Sequence, residues 1–159
     1  MREQEFNTVY AEYSGQLYNY TLWMTGNKAA SEDILQTVFL RVWRCDSVPS
    51  ADGARKAWLF AVCRNACYDY FRASGRSARF RLRYAKEHTS YADGGAEDGL
   101  VWRQLSKLKE KDRSIVYLHV KLGWPYADIA ELLKTTENNV RVRAFRAFRR
   151  LRELFTEKP

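Results

Sequence analysis

The sequence predicts an all-α fold: two small helical domains joined by a linker, the C-terminal one a helix-turn-helix. Three observations predict it. Apolar residues recur at steps of three and four in both parts of the chain, and no stretch alternates with the period of a strand. Between them, "SGRSARFRLRYAKEHTSYADGGAEDG" loses that periodicity and closes on glycines. The charge also divides: residues 1–98 hold 13 Lys/Arg against 12 Asp/Glu, residues 99–159 hold 14 against 7. The predicted division is therefore 1–74, a linker at 75–98, and 99–159.

In the first part, Phe6, Val9, Tyr10, Tyr13, Leu17, Tyr20 and Trp23 or Met24 mark a helix from about Glu5 to Met24. "TGN" breaks it, with Asn27 suited to cap a second helix from Lys28 to Cys45. That helix carries Ile34, Leu35, Val38, Phe39, Val42 and Trp43 as its apolar side. "DSVPSADG" is a loop, and a third helix runs from Ala54 to Ala73. Six Lys/Arg and no acid lie between residues 70 and 86, a first basic cluster.

Beyond Leu100, "VWRQLSKL" and "RSIVYLHVKL" are helical on either side of "KEKD". "GWP" interrupts, Pro125 opens "YADIAELL", and "KTTE" turns the chain into "NNVRVRAFRAFRRLREL". In that last helix Val140, Ala144, Ala147, Phe148, Leu151 and Leu154 gather on one side. Six arginines from Arg141 to Arg152, with no acid among them, cover the rest, broken only by Val142 and Phe145. Like charges one turn apart repel, so such a strip fits a polyanion.

The helix-turn-helix reading rests on four features. Ala130 is small where the helices cross, Ile129 and Leu133 face the core, Val140 packs back, and Thr136 caps the second helix. Lys134 stands where a turn glycine is expected, a departure from the motif, although a left-handed conformation is open to it at a cost. With its N-terminal end in a major groove, Asn138, Asn139, Arg141 and Val142 lie nearest the bases. Arg143 and Arg146 then face flanking phosphates, and Phe145 a sugar or a thymine methyl.

Composition narrows the rest. A net charge of +8 and a pI near 9.5 suit a phosphate-binding partner, and 14% aromatic residues point to real cores. Three cysteines make a disulfide framework unsuitable. Cys63 and Cys67 are read as small buried residues rather than metal ligands, because His88 and His119 supply no matching pair. No carboxylate pair, nucleophile–base set or glycine-rich phosphate loop stands out, so the expectation is no enzyme, no cofactor and no metal. The N-terminus lacks the pattern of a signal peptide and no apolar run is long enough to span a membrane; a cytoplasmic location without membrane insertion is expected.

Three segments in series carry a resemblance. "GNKAASEDILQTVFLRVWR", then "ARKAWLFAVCRNACYDYFR", then "GWPYADIAELLKTTENNVRVRAFRAFRRLREL" resemble the extracytoplasmic-function (ECF) sigma factors of bacterial RNA polymerase. The resemblance spans nearly the whole chain and implies that 1–74 is sigma region 2 and 99–159 sigma region 4. It further implies that Asp33, Gln36, Phe39, Leu40 and Trp43 dock on the beta-prime clamp of core polymerase. Phe39 and Trp43 have a core reading as well. Lys56, Trp58, Arg64, Asn65, Asp69, Arg72 and Arg76 match the segments that read and open the minus-ten element, where a flipped base needs a pocket and stacking surfaces. Trp58 too has a core reading. Thr136, Asn138, Asn139, Arg141, Val142, Arg143, Phe145 and Arg146 fall in the segment reading the minus-thirty-five duplex, which also rests on the beta flap. The implied partners are core polymerase and promoter DNA, with room for an anti-sigma factor. The alternative is a helix-turn-helix transcription regulator that binds duplex DNA without docking on core polymerase.

Overall fold

The structure, a computed structural model, describes residues 3–74 and 102–156; the linker, Arg76 and most of the first basic cluster lie outside them. Every regular element among the described residues is helical. The chain folds as two compact units, Met1–Arg81 and Leu82–Pro159.

The first unit is a bundle of three mutually packed helices, α1 (Glu3–Thr25), α2 (Lys28–Arg44) and α3 (Asp52–Ala73). Its core takes Val9, Leu17, Tyr20 and Met24 from α1, Ile34, Val38 and Val42 from α2, and Leu59, Phe60, Cys63 and Cys67 from α3. The Tyr20 and Phe60 rings meet edge to face at 5.6 Å, a geometry suited to aromatic quadrupoles. Two residues suffice to turn from α1 to α2. Gly26 takes φ 65°, which only glycine adopts without strain. Asn27 then caps α2, its side-chain oxygen accepting from the Ala30 amide at 2.8 Å. Thr25 and Ser31 complete a buried polar knot, their hydroxyl oxygens 3.0 Å apart. The third helix begins two residues before the expected Ala54, with Asp52 in its first turn, where a carboxylate complements the helix dipole.

In the second unit, residues 102–105 form a helical turn that buries Trp102 and Leu105. Next come α4 (Glu110–Val116), a π-helical stretch (Tyr117–Lys121), α5 (Tyr126–Leu133) and α6 (Glu137–Thr156). The "KEKD" expected between helices is the start of α4 instead, because Glu110 and Asp112 suit a helix N-terminus. Helix α6 packs on α4 and α5, and Ala130 and Ala144, both buried, keep its crossings tight. A correction falls at α5: Leu132 takes the core position expected for Leu133, which is half-buried. Leu132 lies three residues from Ile129 and so stays on its face.

The turn between α5 and α6 closes as a Schellman motif. Lys134 is left-handed, at φ 55° and ψ 48°, with its amide donating to the carbonyls of Ala130 and Glu131. The Thr135 amide donates back to the Ala130 carbonyl at 2.9 Å.

Candidate nucleic-acid and polymerase interfaces

Helix α6 presents two faces, as its periodicity requires. Val140, Ala144, Ala147 and Leu154 are buried, while Asn138, Asn139, Arg146, Arg149, Arg150 and Arg152 are exposed. Thr136 caps the helix by accepting from the Asn139 amide at 3.1 Å. The Asn139 side chain in turn donates to the Thr135 hydroxyl at 2.7 Å. Phe145 is 66% exposed and Val142 38%, so both apolar exceptions on the cationic face stand in solvent.

The strip is less uniformly cationic than the sequence suggests. Arg141 pairs with Glu137 at 3.0 Å, Arg143 with Asp112 at 3.1 Å and Arg150 with Glu153 at 3.8 Å. A count within the strip misses these acids, since two flank it and Asp112 arrives from α4, 31 positions away. Arg143 is thus half-buried and engaged inside its own unit. Arg146, Arg149 and Arg152 have no ion pair among the described residues and carry the free charge of the face.

On α3, Asn65 and Arg72 are exposed, and Lys56 and Trp58 are half-buried. Arg64, expected among the residues that meet the minus-ten element, is only 8% exposed. Its Nε and Nη2 both donate to the Asn65 side-chain oxygen, at 3.2 and 2.6 Å, and its guanidinium lies 5.7 Å from the centre of the Tyr68 ring. Asn65 therefore turns its amide nitrogen, a donor, away from Arg64. Asp69 bridges α3 and α2, accepting from Arg72 and, at 3.0 Å, from Arg41. The Arg72 guanidinium, and then that of Arg41, hold the Asp69 carboxyl below its ordinary value. The preceding loop is tied down by Arg55, which donates to the Pro49 carbonyl at 3.0 Å and pairs with Glu5 at 3.5 Å. Sequence reasoning missed Arg55; its partner Glu5 is 50 positions away in the chain.

An open groove of about 500 Å³ lies between α1 and α2. Gln36, Leu40 and Trp43 belong to its lining, Gln36 exposed, Leu40 48% and Trp43 45% exposed. Asp33 is exposed on the same helix but is not part of that lining. Phe39, which had both a docking and a core reading, is 5% exposed, its ring 4.8 Å from Tyr10 and 6.0 Å from Phe6. It forms the floor of the groove. Phe6 and Tyr10 form the opposite wall, with Phe6 also edge-on to Trp43 at 5.1 Å. Their spacing with Val9 and Tyr13 marks them as core by periodicity, which cannot show that the stripe runs out into solvent at that edge.

Cys63 and Cys67 are fully buried; burial, and then the neighbouring Cys67 thiol, push the Cys63 thiol well above its ordinary value. No group of three His, Cys, Asp or Glu side chains suited to a metal occurs among the described residues. No described helix is long and apolar enough to cross a membrane.

Comparison with known proteins separates the same two halves. Residues 9–77 match the family model of Sigma-70 region 2, and residues 98–151 that of Sigma-70, region 4. The ECF RNA polymerase sigma factor SigL of Mycobacterium tuberculosis is 32% identical over 155 residues, covering 91% of this chain and 85% of SigL. The chain belongs to the ECF sigma factors. The ECF RNA polymerase sigma factor SigM of Bacillus subtilis is 27% identical over 153 residues, covering 92% of this chain and 93% of SigM. In fold, this sigma factor resembles the sigma factor RpoE, solved with the anti-sigma factor NepR from Bartonella quintana. The TM-score is 0.75 at 21% identity, covering 98% of this chain and 99% of RpoE. It also resembles CnrH, solved with the cytosolic domain of CnrY, at a TM-score of 0.69 and 20% identity, covering 97% of this chain and 89% of CnrH.

Proposed function

We propose that this sigma factor docks on the beta-prime clamp of core polymerase through the α2 groove, reads the minus-thirty-five duplex with α6, and melts the minus-ten element with α3 and the loop before it. The observation that carries this reading is the coexistence, on one chain, of an open aromatic groove and a helix-turn-helix with a free cationic face. A regulator that only binds duplex DNA has no use for the groove. Asp33, Gln36, Leu40 and Trp43 form the docking surface, and Phe39, Phe6 and Tyr10 support it. Asn65 and Arg72 face the non-template strand, Asn138, Asn139 and Arg141 face base edges, and Arg146 faces phosphate. The beta flap receives the second unit. The protein catalyses nothing itself and acts in the cytoplasm, with an anti-sigma factor as a third partner.

The melting step is tested by permanganate footprinting of the reconstituted holoenzyme. Asn65→Ala with Arg72→Ala is expected to reduce reactivity of unpaired thymines while leaving core binding intact. Normal melting by that double variant contradicts the assignment of α3.

A further inference from the structure

Arg141 is restrained before any DNA arrives. Its Nη2 donates to the Glu137 carboxylate one turn back at 3.0 Å, and its guanidinium carbon lies 5.9 Å from the centre of the Tyr126 ring. Tyr126 is the first residue of α5 and is half-buried. Its ring stacks on His119 with centres 4.3 Å apart and planes at 22°. His119 is anchored in turn, its Nδ1 2.9 Å from the Trp124 carbonyl oxygen. A chain of contacts thus runs from the π-helical stretch, through α5, to the guanidinium on α6.

We propose that Tyr126 is a positioning residue for promoter recognition: its ring, held by His119, presets the Arg141 guanidinium for one base pair of the upstream element. This rests on the reading of Arg141 as a base contact. An arginine has many rotamers, and a bidentate contact with a base edge accepts few of them. Fixing the head group beforehand removes part of that entropic cost. Five N–H donors let Arg141 keep Glu137 while offering others to a base. A phosphate contact, satisfied by many rotamers, gains little from such restraint. Arg146, with no ion pair among the described residues, is the contrasting case. The Tyr126 ring therefore affects discrimination at one position, not overall attraction to DNA.

The test uses holoenzyme reconstituted from core polymerase and the full chain, bound to promoters differing singly at each minus-thirty-five base pair. Arg141→Ala is expected to lose roughly tenfold discrimination at one base pair. Tyr126→Leu is expected to lose a several-fold share of it at the same base pair, with the salt slope unchanged, and Tyr126→Phe to restore it. Combining Tyr126→Leu with Arg141→Ala adds nothing to Arg141→Ala alone. His119→Leu, which leaves Tyr126 in place, gives a smaller loss at the same position and serves as a second probe if Tyr126→Leu fails to fold. If Arg141→Ala loses discrimination while Tyr126→Leu and His119→Leu keep it, the positioning role is wrong and the base contact stands. If Arg141→Ala changes nothing, both are wrong. A uniform loss on every promoter reduces Tyr126 to a structural residue and overturns the proposal, as does tighter binding by Tyr126→Leu, which would mean that the ring withholds Arg141.

Discussion

Lys134 holds a conformation that costs an L residue about 1–2 kcal/mol, and its φ of 55° is what closes the turn before α6. Lys134→Gly is expected to stabilise the protein by about 0.5–1 kcal/mol, once the added freedom of the unfolded chain is discounted. Urea unfolding checks this, and a lower midpoint contradicts it. Thr136→Ala works the other way, removing a cap for about 1 kcal/mol. Asp69 sets a pH dependence. Its carboxyl is held below the ordinary value by Arg72 and Arg41, so its contribution is present above the pKa of an unfolded aspartate, about 3.9. That contribution is lost as pH falls through the lower folded value. Solvent screening keeps it small. Asp69→Asn should therefore make the loss of stability in acid shallower, as read from unfolding midpoints between about pH 5 and pH 2. At this scale the sequence showed what neighbours decide: the caps Asn27 and Thr136 and the strained Lys134 are local features. Arg143 was illegible because its partner comes from another helix, as was the burial of Arg64 within its bundle.

Helices α2 and α6 each divide into a packing side and a working side, and mutations should separate the two. Asp33→Ala with Gln36→Ala is expected to weaken core polymerase binding without loss of helicity, since both side chains are exposed. Trp43→Ala, which removes an exposed aromatic at the groove rim, should cost about 2 kcal/mol of affinity and little stability. Titration against core enzyme and circular dichroism measure both; unchanged affinity in all three positions removes the groove from the docking surface. On α6, Arg146→Ala should weaken holoenzyme binding to all promoters alike and lower the salt slope by about one unit. Arg143→Ala should instead lower stability by about 1 kcal/mol, because it breaks the half-buried pair with Asp112. Equal salt slopes for wild type and Arg146→Ala contradict the assignment of the free cationic face. Helical periodicity made these faces legible in outline. The α1 wall of the groove was not, because the spacing of Phe6 and Tyr10 is that of core residues.

The two units of the molecule serve one activity only if they act on the same promoter with the same polymerase. The division was legible in the sequence from the charge asymmetry and the unpatterned, glycine-closed segment between the halves. Three motifs in chain order identified the family, and no physical pattern alone could have named its partners. The most direct measurement is runoff transcription with purified core polymerase on candidate promoters, with and without this protein. Discrete transcripts that require the protein, and that fall with Trp43→Ala and with Arg141→Ala separately, are the predicted result. Binding to promoter duplex by the protein alone, with no transcript beyond that of core polymerase on any promoter, would contradict the account and leave a DNA-binding regulator in its place.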